Sequence, residues 1–440
     1  MKTIPTLFLA SLACAACVSS PFTLGKGTGG ASAGSGASST GGASAAGPGS
    51  TTTATSSGGG GVASTGPGAS TGPGGSAAST SSGGGGASTG AGASGSTSSA
   101  GAASGASTST GAPCGGADLT TDPNNCGACG HDCLGGACIA SSCQPVTLAS
   151  GLTKPSGALA LDATHVYWVD GSGSGQGAGR VMRAPLAGGP AATLVSGLNS
   201  PDGVAVDATS VYWDDAGSIA QVPLTGGFSV ILTPAAPSAF AGVDAAGAYW
   251  FDINRGAWMS VPLTGGFANS IPGTIGSTVF SSAGAVVVAG TLYWADQPNT
   301  AGHLLSVPTG GGPVTTLATL ASGEYGEALA TDATSIYFTT YTSSGQGSVA
   351  KIPLGGGVPT VLATGIARPY GIAVDASFVY FTSEQGGTVQ KVPTTGGAPV
   401  VLASGLLSPA RLVADASALY WVNKGSGSSS QDGSVMKLAK

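Results

Sequence analysis

From Gln144 onward, short apolar runs separated by turn residues recur at a steady spacing. Residues 365–404 show one period. Gly371-Ile372-Ala373-Val374 alternates large and small apolar residues, and Asp375-Ala376-Ser377 is a tight turn in which the aspartate can bond local amides. Phe378 to Thr382 is aromatic and β-branched, as a half-buried strand requires. Thr388 to Val392 alternates polar with apolar, Pro393-Thr394-Thr395-Gly396-Gly397 turns, and Pro399 to Leu402 closes the unit. The pattern predicts four strands per unit. Polar residues in one third-strand slot, Arg183, Gln221, Lys351 and Lys437 among them, are expected to face water. No stretch keeps a period near 3.6 with helix caps, so this region reads as all-β.

The unit repeats seven times. Its clearest mark is an aliphatic-Tyr-aromatic triplet at Val166-Tyr167-Trp168, Val211-Tyr212-Trp213, Leu292-Tyr293-Trp294, Ile336-Tyr337-Phe338, Val379-Tyr380-Phe381 and Leu419-Tyr420-Trp421, with Ala248-Tyr249-Trp250 as a degenerate copy. The spacing averages about 42 residues, the length of a four-stranded propeller blade. The last unit stops after its third strand, Ser434 to Leu438, and the missing fourth stands at the opposite end as Pro145-Val146-Thr147-Leu148-Ala149. A ring closed by pairing these two segments leaves no blade edge open there. The fold class expected is therefore an all-β, seven-bladed β-propeller. The fourth unit, Gly273 to Ala318, lacks the aspartate turn, so six blades with one decayed insert stays open as the alternative.

The sequence Gly-Leu/Ile-x-x-Pro-x-Gly-aliphatic-Ala-Val-Asp, followed by Val-Tyr-Trp-x-Asp, resembles the Tyr-Trp-Thr-Asp (YWTD) repeats of LDL-receptor-type propellers and, less closely, NHL repeats. The resemblance covers residues 144–440. The aspartate after the aromatic pair is present at Asp170, Asp215, Asp252 and Asp296 and is replaced by Thr340, Ser383 and Asn423. The receptor repeats close with six blades, so the resemblance does not supply the blade number.

The N-terminal part follows another logic. Met1-Lys2 precedes an apolar run, Ile4 to Ala16, too short to span a bilayer and suited to an export signal. Its end, Ala15-Ala16-Cys17, resembles a bacterial lipobox. That resemblance implies lipidation at Cys17, with Cys14 or an ordinary cleaved signal as alternatives, and Val18 suggests the outer membrane. Residues 1–17 are thus a signal and 18–112 a linker of Gly, Ser, Ala and Thr. No charge appears from Gly27 to Ala117, and nothing there can offset roughly 1–2 kcal/mol of backbone entropy per residue, so a disordered stalk is expected.

Residues 113–143 hold six cysteines: Cys114, Cys126, Cys129, Cys133, Cys138 and Cys143. An even count in a small, turn-rich, exported segment predicts three disulfides of undetermined pairing. A zinc knuckle from Cys126 and Cys129 with Cys133, Cys138 or His131 is the rival. The segment resembles cysteine-rich modules with an Asn-Asn-Cys-Gly-x-Cys-Gly core found ahead of other domains in secreted bacterial proteins.

A formal charge of −6 with scattered lysines leaves no footprint for nucleic acid. Turns between strands one and two and between strands three and four are uniform, whereas the other connections vary. Those variable loops share one face, because adjacent strands reverse direction. Candidate binding residues near the channel mouth on that face are Asp202, Glu324, Tyr325, Arg368, Tyr370 and Arg411. They suit an extracellular protein, peptide or glycan, with no cofactor or metal and with the membrane reached through the lipid anchor alone. The expected role is a non-enzymatic binding or scaffold module on the cell surface, with a purely structural surface protein as one alternative. A propeller lyase or lactonase is the other. Seven-bladed streptogramin lyases resemble this architecture and rely on a His/Glu cluster, which only His303 with Glu324, Glu327 or Glu384 could supply here.

Overall fold

The computed structural model describes residues 113–155, 158–171, 177–235, 237–275, 284–296, 301–427 and 430–440. The signal segment with Cys14 and Cys17, and the linker to residue 112, lie outside the described residues. Among the described residues the repeated apolar runs form seven four-stranded antiparallel sheets in which consecutive strands pair. Blades 1 to 6 take residues 159–198, 204–234, 237–270, 285–319, 324–367 and 369–403. Blade 7 takes Pro409–Ala414, Ala418–Asn423 and Gly433–Ala439, and its outer strand is Val146–Leu152. Val146 pairs with Lys437 and Leu152 with Gly433, so the ring closes through the strand expected to close it. The fold is a seven-bladed β-propeller.

The six-bladed alternative falls on the fourth unit, which is a complete blade: Ala285–Val288, Thr291–Asp296, His303–Pro308 and Thr315–Thr319. Where the other blades use an aspartate turn, Ala289 and Gly290 adopt φ of 50° and 73° with Val288 opposite Thr291. A two-residue turn with both φ positive matches the twist of the flanking strands and needs no side-chain anchor.

In the other six blades the turn aspartate holds more than the turn. Asp375 accepts the backbone N–H groups of Ser377 and Phe378, both at 2.9 Å, and the hydroxyl of Tyr380 at 2.8 Å. The same tyrosine-to-aspartate bond recurs at Tyr167–Asp162, Tyr212–Asp207, Tyr249–Asp244, Tyr337–Asp332 and Tyr420–Asp415. Thus the tyrosine of each triplet ties strand two to its turn, while the aromatic residue after it is buried between blades: Trp168, Trp213, Trp250, Trp294, Phe338, Phe381 and Trp421 are all 1% exposed or less. The turn between strands three and four needs consecutive left-handed residues, as at Gly396 and Gly397 with φ of 88° and 144°, which only glycine adopts readily.

Four residues of the third-strand polar slot, expected to face water, link blades instead. Arg183 of blade 1 donates to the Leu224 carbonyl of blade 2, Gln221 to Leu263 of blade 3, Lys351 of blade 5 to Thr394 of blade 6 at 2.7 Å, and Lys437 of blade 7 to Leu186 of blade 1 at 2.8 Å. A long donor reaches the next turn around the ring, where a carbonyl lacks a ladder partner.

The cysteines form three disulfides, Cys114–Cys129, Cys126–Cys138 and Cys133–Cys143. Although the sulfurs of Cys126, Cys133 and Cys143 lie within 4.8 Å of one another, each is in a disulfide, leaving no thiolate for the zinc alternative. The module is seated on the seam of the ring. Its four buried cysteines share an apolar cluster with Tyr380, Trp421 and Leu438. The His131 ring spans the carbonyl oxygens of Cys126 at 2.6 Å and Lys440 at 2.8 Å. Lys440 reaches on to Asp375 of blade 6 at 3.0 Å.

Candidate functional site

The first strands of the blades wall a central channel of about 310 Å3. Their large–small alternation puts residues such as Leu159, Val204, Val243, Leu329 and Leu412 along it, and Arg411 is the one charged residue of the lining. The channel is an apolar well with a guanidinium in its wall.

At one mouth of this well the uniform repeat gives way to charge. Counting back five residues from the turn aspartate of blades 2, 5 and 6 reaches Asp202, Glu327 and Tyr370, and counting back four in blade 7 reaches Arg411. These are equivalent or adjacent positions on neighbouring inner strands, so the ring brings them together. Asp214 joins them from the second strand of blade 2. It occupies the slot held by Val169, Phe251, Ala295, Thr339, Thr382 and Val422 in the other blades. Asp214 and Glu327 are each 4% exposed.

The electrostatics follow from that crowding. Burial lowers the pKa of Arg411, while Tyr370, Asp202, Glu327 and Asp214 pull it back towards its ordinary value. Burial drives the Asp214 carboxyl well above the carboxylate range, and the neighbouring Asp202 charge adds to the rise. The Gly203 N–H bonded to Asp214 opposes it without winning. Glu327 is also raised, chiefly by burial, against the pull of Arg368, Lys424 and Arg411.

Beside this inner group stands an outer one. Arg368 and Lys424 share Glu384, at 3.1 Å and 3.0 Å. Lys424 Nζ also sits 3.9 Å from the centroid of the Tyr370 ring, and the Arg368 guanidinium lies 5.0 Å from that of Tyr341. Burial works against the Lys424 ammonium, but Tyr370 and Glu384 hold its pKa above the usual lysine value. The backbone fixes Arg368: its φ is 48°, its N–H donates to Gly345 at 2.7 Å, and its carbonyl accepts from Glu384 at 2.8 Å. Lys154, Ser200 and Ser408, each likewise before a strand-one proline, share this left-handed conformation.

Of the six residues expected at the mouth, four are brought together there: Asp202, Arg368, Tyr370 and Arg411. Glu324 instead lines a separate cavity between blades 4 and 5. Tyr325 packs on Tyr341, ring centroids 5.8 Å apart, at the outer edge of the Arg368 group. Blade 5 has no proline ahead of its first strand, and Glu324 stands eight residues before Asp332, one position further out than Arg368 before Asp375, while the inner position, five before the turn, is held by Glu327. The count back from Asp332 identifies Glu327. Asp214 is identifiable as the charged residue in a slot that six sister blades fill without charge. His303, the histidine weighed for catalysis, is paired with Asp296, Nδ1 to Oδ1 3.0 Å, rather than with Glu384, which is taken by two cations.

No protein-family model and no curated relative matches the sequence. Solved structures similar to the chain include a streptogramin B lyase, at 10% identity over 68% of this chain and 97% of the other, with a TM-score of 0.48. YCF48 bound to D1 peptide gives 9% identity, 68% and 96% coverage and a TM-score of 0.49. The nidogen/laminin complex gives 17% identity, 56% and 77% coverage and a TM-score of 0.35.

Proposed function

We propose that this is an exported protein, lipid-anchored through Cys17, whose propeller is a binding module for an extracellular protein, peptide or carbohydrate at the charged mouth of its channel. The observation that carries the reading is the concentration of charge. Seven charged side chains from blades 2, 5, 6 and 7 meet at one mouth, in a chain with only 13 lysines and arginines and 19 aspartates and glutamates. Scaffold alone does not require it: among the described residues, the acidic side chains at the same end of blades 1, 3 and 4, Asp170, Asp252 and Asp296, pair within their own blades with Arg180, Arg255 and His303. Half-buried tyrosines with cations against their rings supply flat apolar surface beside hydrogen-bond donors, the combination that suits sugars and peptide backbones.

The test is a glycan and peptide array probed with the secreted protein, followed by affinity measurement on the strongest hit. Joint substitution Arg368→Ala and Tyr370→Ala should weaken that hit by roughly tenfold or more, in line with loss of about 1.4 kcal/mol or more from anchoring side chains. Unchanged affinity would remove the mouth as the site. A second reading, acid–base catalysis, draws support from Asp214 and Glu327, two carboxyls whose pKa values burial raises. Turnover of the array ligand, lost in Glu327→Gln, would favour it over binding alone.

A further inference from the structure

The seven blades serve as controls for one another at the slot where the buried aromatic of strand two faces strand three. The pairs are Trp168–Met182, Trp213–Ala220, Trp250–Met259, Trp294–Leu305, Phe381–Gln390 and Trp421–Met436. Each has an indole or a long side chain on at least one side. Blade 5 alone joins Phe338 to Ala350. Two residues further along the same strands, Asp170 with Arg180 and Asp296 with His303 put long side chains in blades 1 and 4, whereas blade 5, like blade 6 with Ser383 and Thr388, has short ones, Thr340 and Ser348, whose hydroxyls bond each other at 2.8 Å.

The consequence is a cavity of about 250 Å3 between blades 4 and 5, walled by Leu320, Phe338, Ala350 and Val361, with the Thr340–Ser348 pair beside them. The pocket opens to solvent at its rim, where Val361 is 55% exposed, and is closed at its floor by the buried Phe338 and Ala350. Glu324 is the one charged residue of the lining. Among the described residues its carboxylate meets no hydrogen-bond donor or cation.

We propose that this cavity is a binding site for a small aromatic cation, a planar ring of about indole size bearing an ammonium group. The ring takes the space that the indole and the methionine chain fill in sister blades, and the ammonium meets Glu324. Neutral or anionic rings of the same shape lose that partner. The site uses none of the seven charged residues of the channel mouth, so it stands or falls separately from binding at the mouth.

The test is titration of the full-length protein with tryptamine, using indole and indole-3-acetate as neutral and anionic arms, read by calorimetry. The expected order is tryptamine tightest and indole-3-acetate weakest. Glu324→Gln should remove tryptamine's advantage over indole, about fivefold for a partly exposed ion pair. Ala350→Met, which restores the methionine of three sister blades, should abolish binding of all three while leaving the melting temperature equal or higher, since it fills a void. No saturable tryptamine binding, or undiminished binding in Ala350→Met, overturns the proposal. So does equal affinity for the anionic arm. An Ala350→Met chain that cannot fold would mean the space is not there, and that too overturns it.

Discussion

Asp375 gathers two backbone N–H groups, the Tyr380 hydroxyl and the Lys440 ammonium around one carboxylate. Burial raises its pKa, but those partners together outweigh it and hold the group at about 2. Asp375→Ala leaves these donors unmet and should cost about 1–3 kcal/mol in urea unfolding. Because the folded pKa lies below the unfolded one, its stabilisation is present above about pH 4 and lost as pH falls towards 2. Asp162, Asp207, Asp332 and Asp415 are lowered in the same way, so acid unfolding should steepen over that window. Asp214 has the opposite sign. Its folded pKa is raised, so its favourable contribution belongs to acid pH and fades as pH rises through the folded value. Asp214→Asn keeps an acceptor for Gly203 and removes the charge. Melting curves of variant and wild type should therefore agree near pH 4, with the variant gaining as pH rises to 8. These residues differ in how far the sequence discloses them. The turn role of Asp375 is visible from its place before a strand, and the apolar slot around Asp214 is visible by comparing blades. The tyrosine bond is not, because it depends on how strand two folds back over its turn. The place of Glu324 away from the mouth is visible by comparing blades, since it stands eight residues before Asp332 and the inner position stands five before.

At the scale of elements, the strands and the closing segment were legible because a repeat shows its own period, and because the fourth strand missing from the last unit stood at the other end. The seat of the cysteine module was not legible. Nothing in the spacing of six cysteines says that they will pack on Tyr380 and Leu438, since that surface exists only after blades 6 and 7 have formed. The docking has a physical consequence. Cys143 stands three residues before the closing strand Val146–Leu152, and its disulfide to Cys133 holds the start of that strand against the last one. Replacing both with serine should lower stability by about 2–4 kcal/mol. The loss should be concentrated at the seam, so hydrogen exchange should quicken in residues 146–152 and 433–439 before it does in blades 2 to 4. Uniform acceleration around the ring would mean that the module does not clamp the closure.

For the whole molecule, seven near-identical sheets make a ring whose interior is apolar and whose two ends are unlike. One end carries uniform turns anchored by aspartate. The other gathers Asp202, Asp214, Glu327, Arg368, Glu384, Arg411 and Lys424 over the opening of the channel. Arg411 links the channel wall to that collar, so it is the side chain through which a bound ligand should be felt most strongly. Lys391, in the third-strand slot against Phe378, has the same charge and lies outside the collar. The most direct measurement is the affinity of the full-length protein for its strongest array ligand, compared among wild type, Arg411→Ala and Lys391→Ala by calorimetry. Binding at the collar requires at least a tenfold loss in Arg411→Ala and no change in Lys391→Ala. Equal affinity in all three proteins, with each still folded, would contradict it.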